Sequence, residues 1–102
     1  MMDQDRASTP SLTLKEDSCP RLAQGVKLVR DEVRGQWILN APERVLLLDD
    51  IAYAILSRID GQRPLAEICD ALATAYEAPR DVIGADVLEL VRDLSLRGFV
   101  RL

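Results

Sequence analysis

The hydrophobic residues of this chain change period once, at Asp49–Asp50, and that change puts a sheet before the helices. Upstream, apolar residues come in short runs: Val26-Lys27-Leu28-Val29-Arg30, Gln36-Trp37-Ile38-Leu39-Asn40 and Val45-Leu46-Leu47-Leu48. Each is too brief for a helix and reads as a strand. Downstream, apolar residues recur at helical spacing. Between the two regimes Pro42 biases Ala41 to an extended conformation. Asp49-Asp50 then supplies an N-cap and first-turn negative charge for a helix.

The turns agree with that division. Asp31-Glu32-Val33-Arg34-Gly35 has hairpin length, with glycine where positive φ is cheapest. The three strands therefore form a meander. Side chains alternate along a strand, so Val45 and Leu47 face opposite to Leu46 and Leu48. All four are apolar, and a chain this small has few elements to cover two sheet faces. That doubling predicts a partner.

Ile51, Ile55 and Ile59, with Ala52 and Leu56, make the stripe of a first helix that Asp60-Gly61 ends. Pro64 suits the first turn of a second helix. Its apolar face is Leu65, Ile68, Cys69, Leu72 and Tyr76. Ala78-Pro79 breaks it and opens a third, running to Arg97 with Gly98 as its stop. Phe99–Leu102 is a short extended segment. Residues 1–21 read as a flexible leader, in which Leu12 and Leu14 alternate as a brief extended pairing would, and residues 22–102 as the folded domain. Three strands followed by three helices define an α+β chain, winged helix-turn-helix-like, with its antiparallel sheet at the N-terminal side.

Composition removes several functions. The chain has 102 residues, no histidine and a net charge of −4. The commonest general base and metal ligand is therefore missing, and no metal site or cofactor is expected. Cys19 and Cys69 form no CxxC pair; Cys69 reads as a small buried hydrophobe and Cys19 as a free thiol. Glu43, Asp49 and Asp50 are the only candidate catalytic carboxylates, and turn and cap roles account for them, so no catalytic residue is assigned. A DNA-reading helix would be basic, yet Pro79–Arg97 holds Arg80, Arg92 and Arg97 against Asp81, Asp86, Glu89 and Asp93. No apolar run approaches the roughly 18 residues of a membrane span, and the N-terminus lacks the apolar region of a signal peptide. A cytoplasmic location is expected.

On the third helix Ile83, Val87, Leu90 and Leu94 share a narrow sector expected to face the core. A second stripe, Gly84, Leu88, Val91 and Ser95, is apolar or small. Gly84 costs about 1 kcal/mol relative to Ala within a helix, which a close approach of another group would explain. Two readings account for this stripe: a wider core, or the wall of a groove.

Taken in order, the residues resemble the PqqD family of pyrroloquinoline quinone (PQQ) biosynthesis. The resemblance starts at Pro20-Arg21-Leu22 and runs through Gly25-Val26-Lys27-Leu28, Asp31 and Arg34-Gly35-Gln36-Trp37. It continues with Leu39-Asn40-Ala41-Pro42-Glu43-Arg44-Val45, Leu48-Asp49, Ala52, Ile55-Leu56, Asp60-Gly61 and Glu67-Ile68. Leu72-Ala73, Tyr76, Ala78-Pro79, Asp86-Val87 and Leu94 to Gly98 complete it. Pro64 departs from the family, which more often has a hydroxyl residue there to form a capping box with Glu67.

The resemblance implies a non-enzymatic recognition element for a ribosomally made precursor peptide. Such a domain binds the peptide PqqA and presents it to the radical-SAM enzyme PqqE. It further implies that the peptide adds as a strand beside Arg44, Val45, Leu46, Leu47 and Leu48. The peptide would then lie against Gly84, Leu88, Val91, Arg92 and Ser95 of the third helix. An open edge strand also predicts homodimers at high concentration. The rival readings are a winged-helix DNA-binding regulator, disfavoured by charge, and an adaptor that binds enzyme partners only.

Overall fold

The computed structural model describes residues 14–102. The elements are β1 (Arg21–Leu22), β2 (Lys27–Asp31), β3 (Gln36–Ala41), β4 (Arg44–Leu47), α1 (Asp50–Leu56), α2 (Leu65–Tyr76), α3 (Arg80–Leu96) and β5 (Val100–Arg101). β2, β3 and β4 form the expected antiparallel meander, and β1 pairs antiparallel with β5 in a separate two-stranded ribbon. The winged helix-turn-helix-like order of sheet then three helices holds throughout.

Register follows from the turns. Asp31 Oδ1 accepts from the amides of Val33 and Arg34 at 3.1 and 3.3 Å, and Gly35 takes a φ of 66°. Pro42 and Glu43 close the next hairpin, opposing Ala41 to Arg44. Glu43 takes the left-handed φ of 66° that glycine or asparagine would adopt more cheaply. The row Leu28, Leu39, Leu46 then falls on the helix-facing side, where Leu39 is fully buried. The row Val29, Ile38, Leu47 falls on the other.

Asp49 caps α1 as expected, its Oδ1 accepting from the Ala52 amide at 2.8 Å. The helix stops at Leu56, one turn short of the stripe that includes Ile59. There Arg58 closes a tighter turn on the Ile55 carbonyl and sends its side chain to the Ala54 carbonyl. Ala52, Ala54, Ile55 and Leu56 are buried, whereas Ile51 is left 46% exposed. Tyr53 stacks on Trp37 with ring centroids 4.4 Å apart, fastening α1 to β3. Asp60 closes the following turn by accepting from the Gln62 and Arg63 amides, which hold its carboxyl below the usual range.

α2 buries Leu65, Ile68, Cys69 and Leu72, the expected face, and burial pushes the Cys69 thiol up. Tyr76 ends that stripe half-exposed. Pro64 sits at the N-cap of α2 and gives it no side-chain cap. The N-terminal segment supplies one instead. The Ser18 carbonyl accepts from the Leu65 amide at 2.9 Å and the Glu16 carbonyl from Ala66 at 2.7 Å. Two first-turn amides that would otherwise lack partners are thereby satisfied. Pro20 accepts from Gly61, and β1 follows directly into its pairing with β5. Residues 14–21 are thus a strap bound to the domain; the alternation of Leu12 with Leu14 lies, apart from Leu14, outside the described residues.

The core sector of α3 differs from the expected one. Gly84, Val87, Val91 and Leu94 are buried, with Ile83 and Leu90 only partly so. The buried sector is rotated by roughly 40–50° at 100° per residue. At the Gly84 end of that sector the strap supplies the cover: Arg80 bonds Glu16 through both η nitrogens and Asp70 through Nε at 2.6 Å. This cluster lies over Gly84, where an added Cβ would meet Arg80 Nη1 at 2.8 Å and Glu16 Oε2 at 3.0 Å. The close approach that Gly84 demands is made from within the chain.

Candidate functional site: an open strand edge beside the last helix

Among the described residues β4 is an edge strand, paired with β3 alone. Ala41 and Arg44 flank a two-residue turn, and Leu48 donates to the Trp37 carbonyl at 3.1 Å. Antiparallel bonding alternates along a strand. Arg44, Leu46 and Leu48 therefore direct their backbone groups at β3, and Val45 and Leu47 direct theirs outward. The free edge offers two amides and two carbonyls in the pattern a further strand requires.

Side chains around this edge sort by exposure. Val45 and Leu47 are 57% and 49% exposed, Leu46 is half-buried against the core, and Leu48 is buried. Arg44 marks one end of the edge. Its guanidinium lies 4.2 Å from the Phe99 ring centroid, and its Nη1 donates to the Arg97 carbonyl at 2.6 Å. The other end runs into α1, where Ile51 borders a pocket shared with Ile83, Asp86 and Val87 of α3. Arg44 reaches the C-terminal end of α3 at the Arg97 carbonyl, and Ile51 shares its pocket with residues of the N-terminal half of α3. By helical spacing the flank of α3 that carries Ile83 and Asp86 of that pocket also carries Leu90 and Arg97, with Leu90 midway.

The other stripe lies elsewhere. Gly84 is covered by the Glu16–Arg80 pair, Val91 is fully buried, and Leu88 and Ser95 are half-buried on the strap side. Arg92 is exposed and turned away from the core. Of the ten site candidates, the structure brings Arg44 to Leu48 together at one edge. It sets Gly84, Leu88, Val91 and Ser95 on the strap-facing side of α3. The residues that sequence reasoning missed, Ile51, Tyr76, Ile83 and Asp86, gather around the pocket. Their one signal was that Ile51 and Tyr76 end their stripes, where helix termini leave apolar side chains uncovered.

No helix among the described residues is long and apolar enough to cross a membrane. No group of three His, Cys, Asp or Glu side chains among them could hold a metal ion. What the fold presents is a binding module: a small winged-helix-like domain whose sheet has, among the described residues, an unpaired edge at β4. The profile of "Coenzyme PQQ synthesis protein D (PqqD)" matches residues 36–100. A "PqqA binding protein" of Xanthomonas campestris pv. campestris (strain B100) is 48% identical over 90 residues, covering 88% of this chain and 98% of the relative. Another protein of that name, from Rhodopseudomonas palustris (strain BisB5), is 47% identical over 90 residues, covering 88% of each. This chain belongs to the PqqD family.

Two solved structures agree with the assignment. The solution NMR structure of the PqqD truncation of Methylobacterium extorquens PqqCD matches with a TM-score of 0.78 at 34% identity, covering 92% of this chain and all of that one. That protein is described as a functional, stand-alone recognition element for ribosomally synthesised and post-translationally modified peptides. The crystal structure of PqqD from Xanthomonas campestris matches with a TM-score of 0.56 at 46% identity, covering 88% of this chain and all of that one.

Proposed function

We propose that this protein captures the PQQ precursor peptide PqqA by adding it as a strand to β4 and presents it to the radical-SAM enzyme PqqE. The carrying observation is the outward-facing backbone of Val45 and Leu47, in a chain whose relatives are named for binding PqqA. The protein acts by binding, in the cytoplasm, and the chemistry belongs to its enzyme partner. The cover over Gly84 and the full burial of Val91 favour a groove wall on the flank of α3 that contains Ile83 and Leu90 over one along Gly84–Ser95.

The energetics suit a transient carrier. Each added backbone hydrogen bond contributes only about 0.5–1.5 kcal/mol net. Micromolar affinity corresponds to roughly −8 kcal/mol, so exposed apolar side chains along the edge must contribute as well. The same open edge can pair with a second copy. Sedimentation at high protein concentration should reveal a dimer that PqqA dissociates, and a monomer at every concentration rules it out.

Amide-resolved NMR titration with PqqA tests strand addition. Leu47→Pro removes an outward donor at a position where an edge strand tolerates proline. The variant should stay folded by circular dichroism and lose PqqA binding. If it binds as tightly as the wild type, strand addition at β4 is wrong.

A further inference from the structure

The two ends of the groove differ in chemistry. At one end stands Arg44, in a chain whose net charge is −4. Its planar face is taken by Phe99 and one Nη1 hydrogen by the Arg97 carbonyl. Among the described residues no carboxylate forms an ion pair with it, so Nε and Nη2 keep donors for an incoming anion. Arg97, beside it, already pairs with Asp93 at 3.2 Å.

At the other end is a pocket of about 90 Å³ lined by Ile51, Ala54, Ile55, Leu72, Ile83 and Val87, with Tyr76 and Asp86 completing it. Ile51 and Tyr76 are 46% and 47% exposed, so the mouth is open and its rim apolar. An apolar cavity of about 150 Å³ accommodates benzene. One of about 90 Å³ therefore suits a branched aliphatic side chain rather than an aromatic ring. Asp86 at this end repels an acidic side chain, which disfavours the reversed placement.

Two rulers give the separation. From Arg44 along β4 to the start of α1 the chain covers roughly 15–20 Å at about 3.3 Å per residue. Along α3, from Arg97 back to Val87 and Ile83, the distance is roughly 15–21 Å at 1.5 Å per residue. An extended peptide spans that gap in about five or six residues.

Resting on peptide capture at β4, we infer that the groove selects its peptide at two points. The pocket takes a valine, isoleucine or leucine side chain, and Arg44 takes an Asp or Glu about five or six residues away. The strand pairing between them is indifferent to sequence, because backbone groups make it. The two anchors fix the register.

Calorimetric titration with synthetic PqqA tests this in one set. Ala54→Met fills the pocket from within α1 and should weaken binding about 10-fold. Should that variant fail to fold, Ile51→Ala, at a half-exposed wall position, should weaken it about 5-fold. Arg44→Glu should weaken binding about 5-fold at low salt, and one PqqA variant carrying a single acid-to-Lys change should recover that loss. An unfolded protein could show no such recovery. Unchanged affinity in a folded pocket variant, or no recovery with any acid-to-Lys peptide, overturns the two-point reading while leaving capture intact. Absence of binding by the wild type removes capture itself, and this inference with it.

Discussion

Val91 and Leu90 are adjacent in sequence, but Val91 lies within the buried sector of α3 and Leu90 on its flank, and their truncation should separate packing from binding. Val91 is fully buried. Val91→Ala removes two methyl groups, about 1.6 kcal/mol at roughly 0.8 per group. The space left adds a cavity term of about 24 cal/mol per Å³, near 1 kcal/mol for roughly 45–50 Å³. The expected loss is about 2–3 kcal/mol. Leu90 is only partly buried, so Leu90→Ala should cost about 1 kcal/mol. For PqqA the order reverses: Leu90→Ala loses more than about 1 kcal/mol of affinity, and Val91→Ala, while folded, loses little. Urea unfolding followed at Trp37, whose stack on Tyr53 reports α1 docking, gives the stabilities, and calorimetry gives the affinities. Should Val91→Ala keep full stability yet bind PqqA poorly, the groove lies along Gly84–Ser95 and the argument from burial fails.

The remaining predictions concern the strap. Deleting residues 1–19 should destabilise the domain by about 1–3 kcal/mol relative to a chain beginning at Leu14. The Leu65 and Ala66 amides lose their acceptors, at about 0.5–1.5 kcal/mol each; equal urea midpoints would show that the strap does not cap α2. Glu16 has its carboxyl held below the usual value by its hydrogen bond to Arg80. The stability linked to it is present above the unfolded value of about 4.3 and lost as pH falls through the lower folded value. Glu16→Gln should therefore unfold with a flatter acid limb below about pH 4–5, and an unchanged profile in acid titration by circular dichroism would show the pair to be uncoupled from folding.

Much of this fold follows from local pattern alone. The switch of period at Asp49–Asp50, the cap that Asp49 makes, the glycine turn at Gly35 and the stripe Leu65–Leu72 depend on residues close in sequence. Local sterics and hydrogen bonding favour such features whatever the tertiary contacts, and here the two agree. The edge position of Arg44–Leu47 was legible too, because β4 is the last strand of the meander and the run Val45–Leu48 is apolar on both faces. The pairing of β1 with β5, in contrast, joins Arg21 and Leu22 to residues at the far end of the chain. Nothing local in either two-residue segment announces it.

The setting of α3 about its own axis was decided only in three dimensions. Both flanks of Val87–Leu94 are apolar enough to be core, since Ile83 and Leu90 on one side match Leu88 and Val91 on the other. Sequence period places the stripe but not its centre. That centre depends on which flank another element covers, and here the strap, carrying Glu16 to Arg80 across Gly84, covers one. The opposite flank, which carries Ile83, borders the pocket shared with Ile51. Local pattern specifies a sheet, three helices and an exposed strand; the docking of a distant segment settles which flank of the last helix it covers.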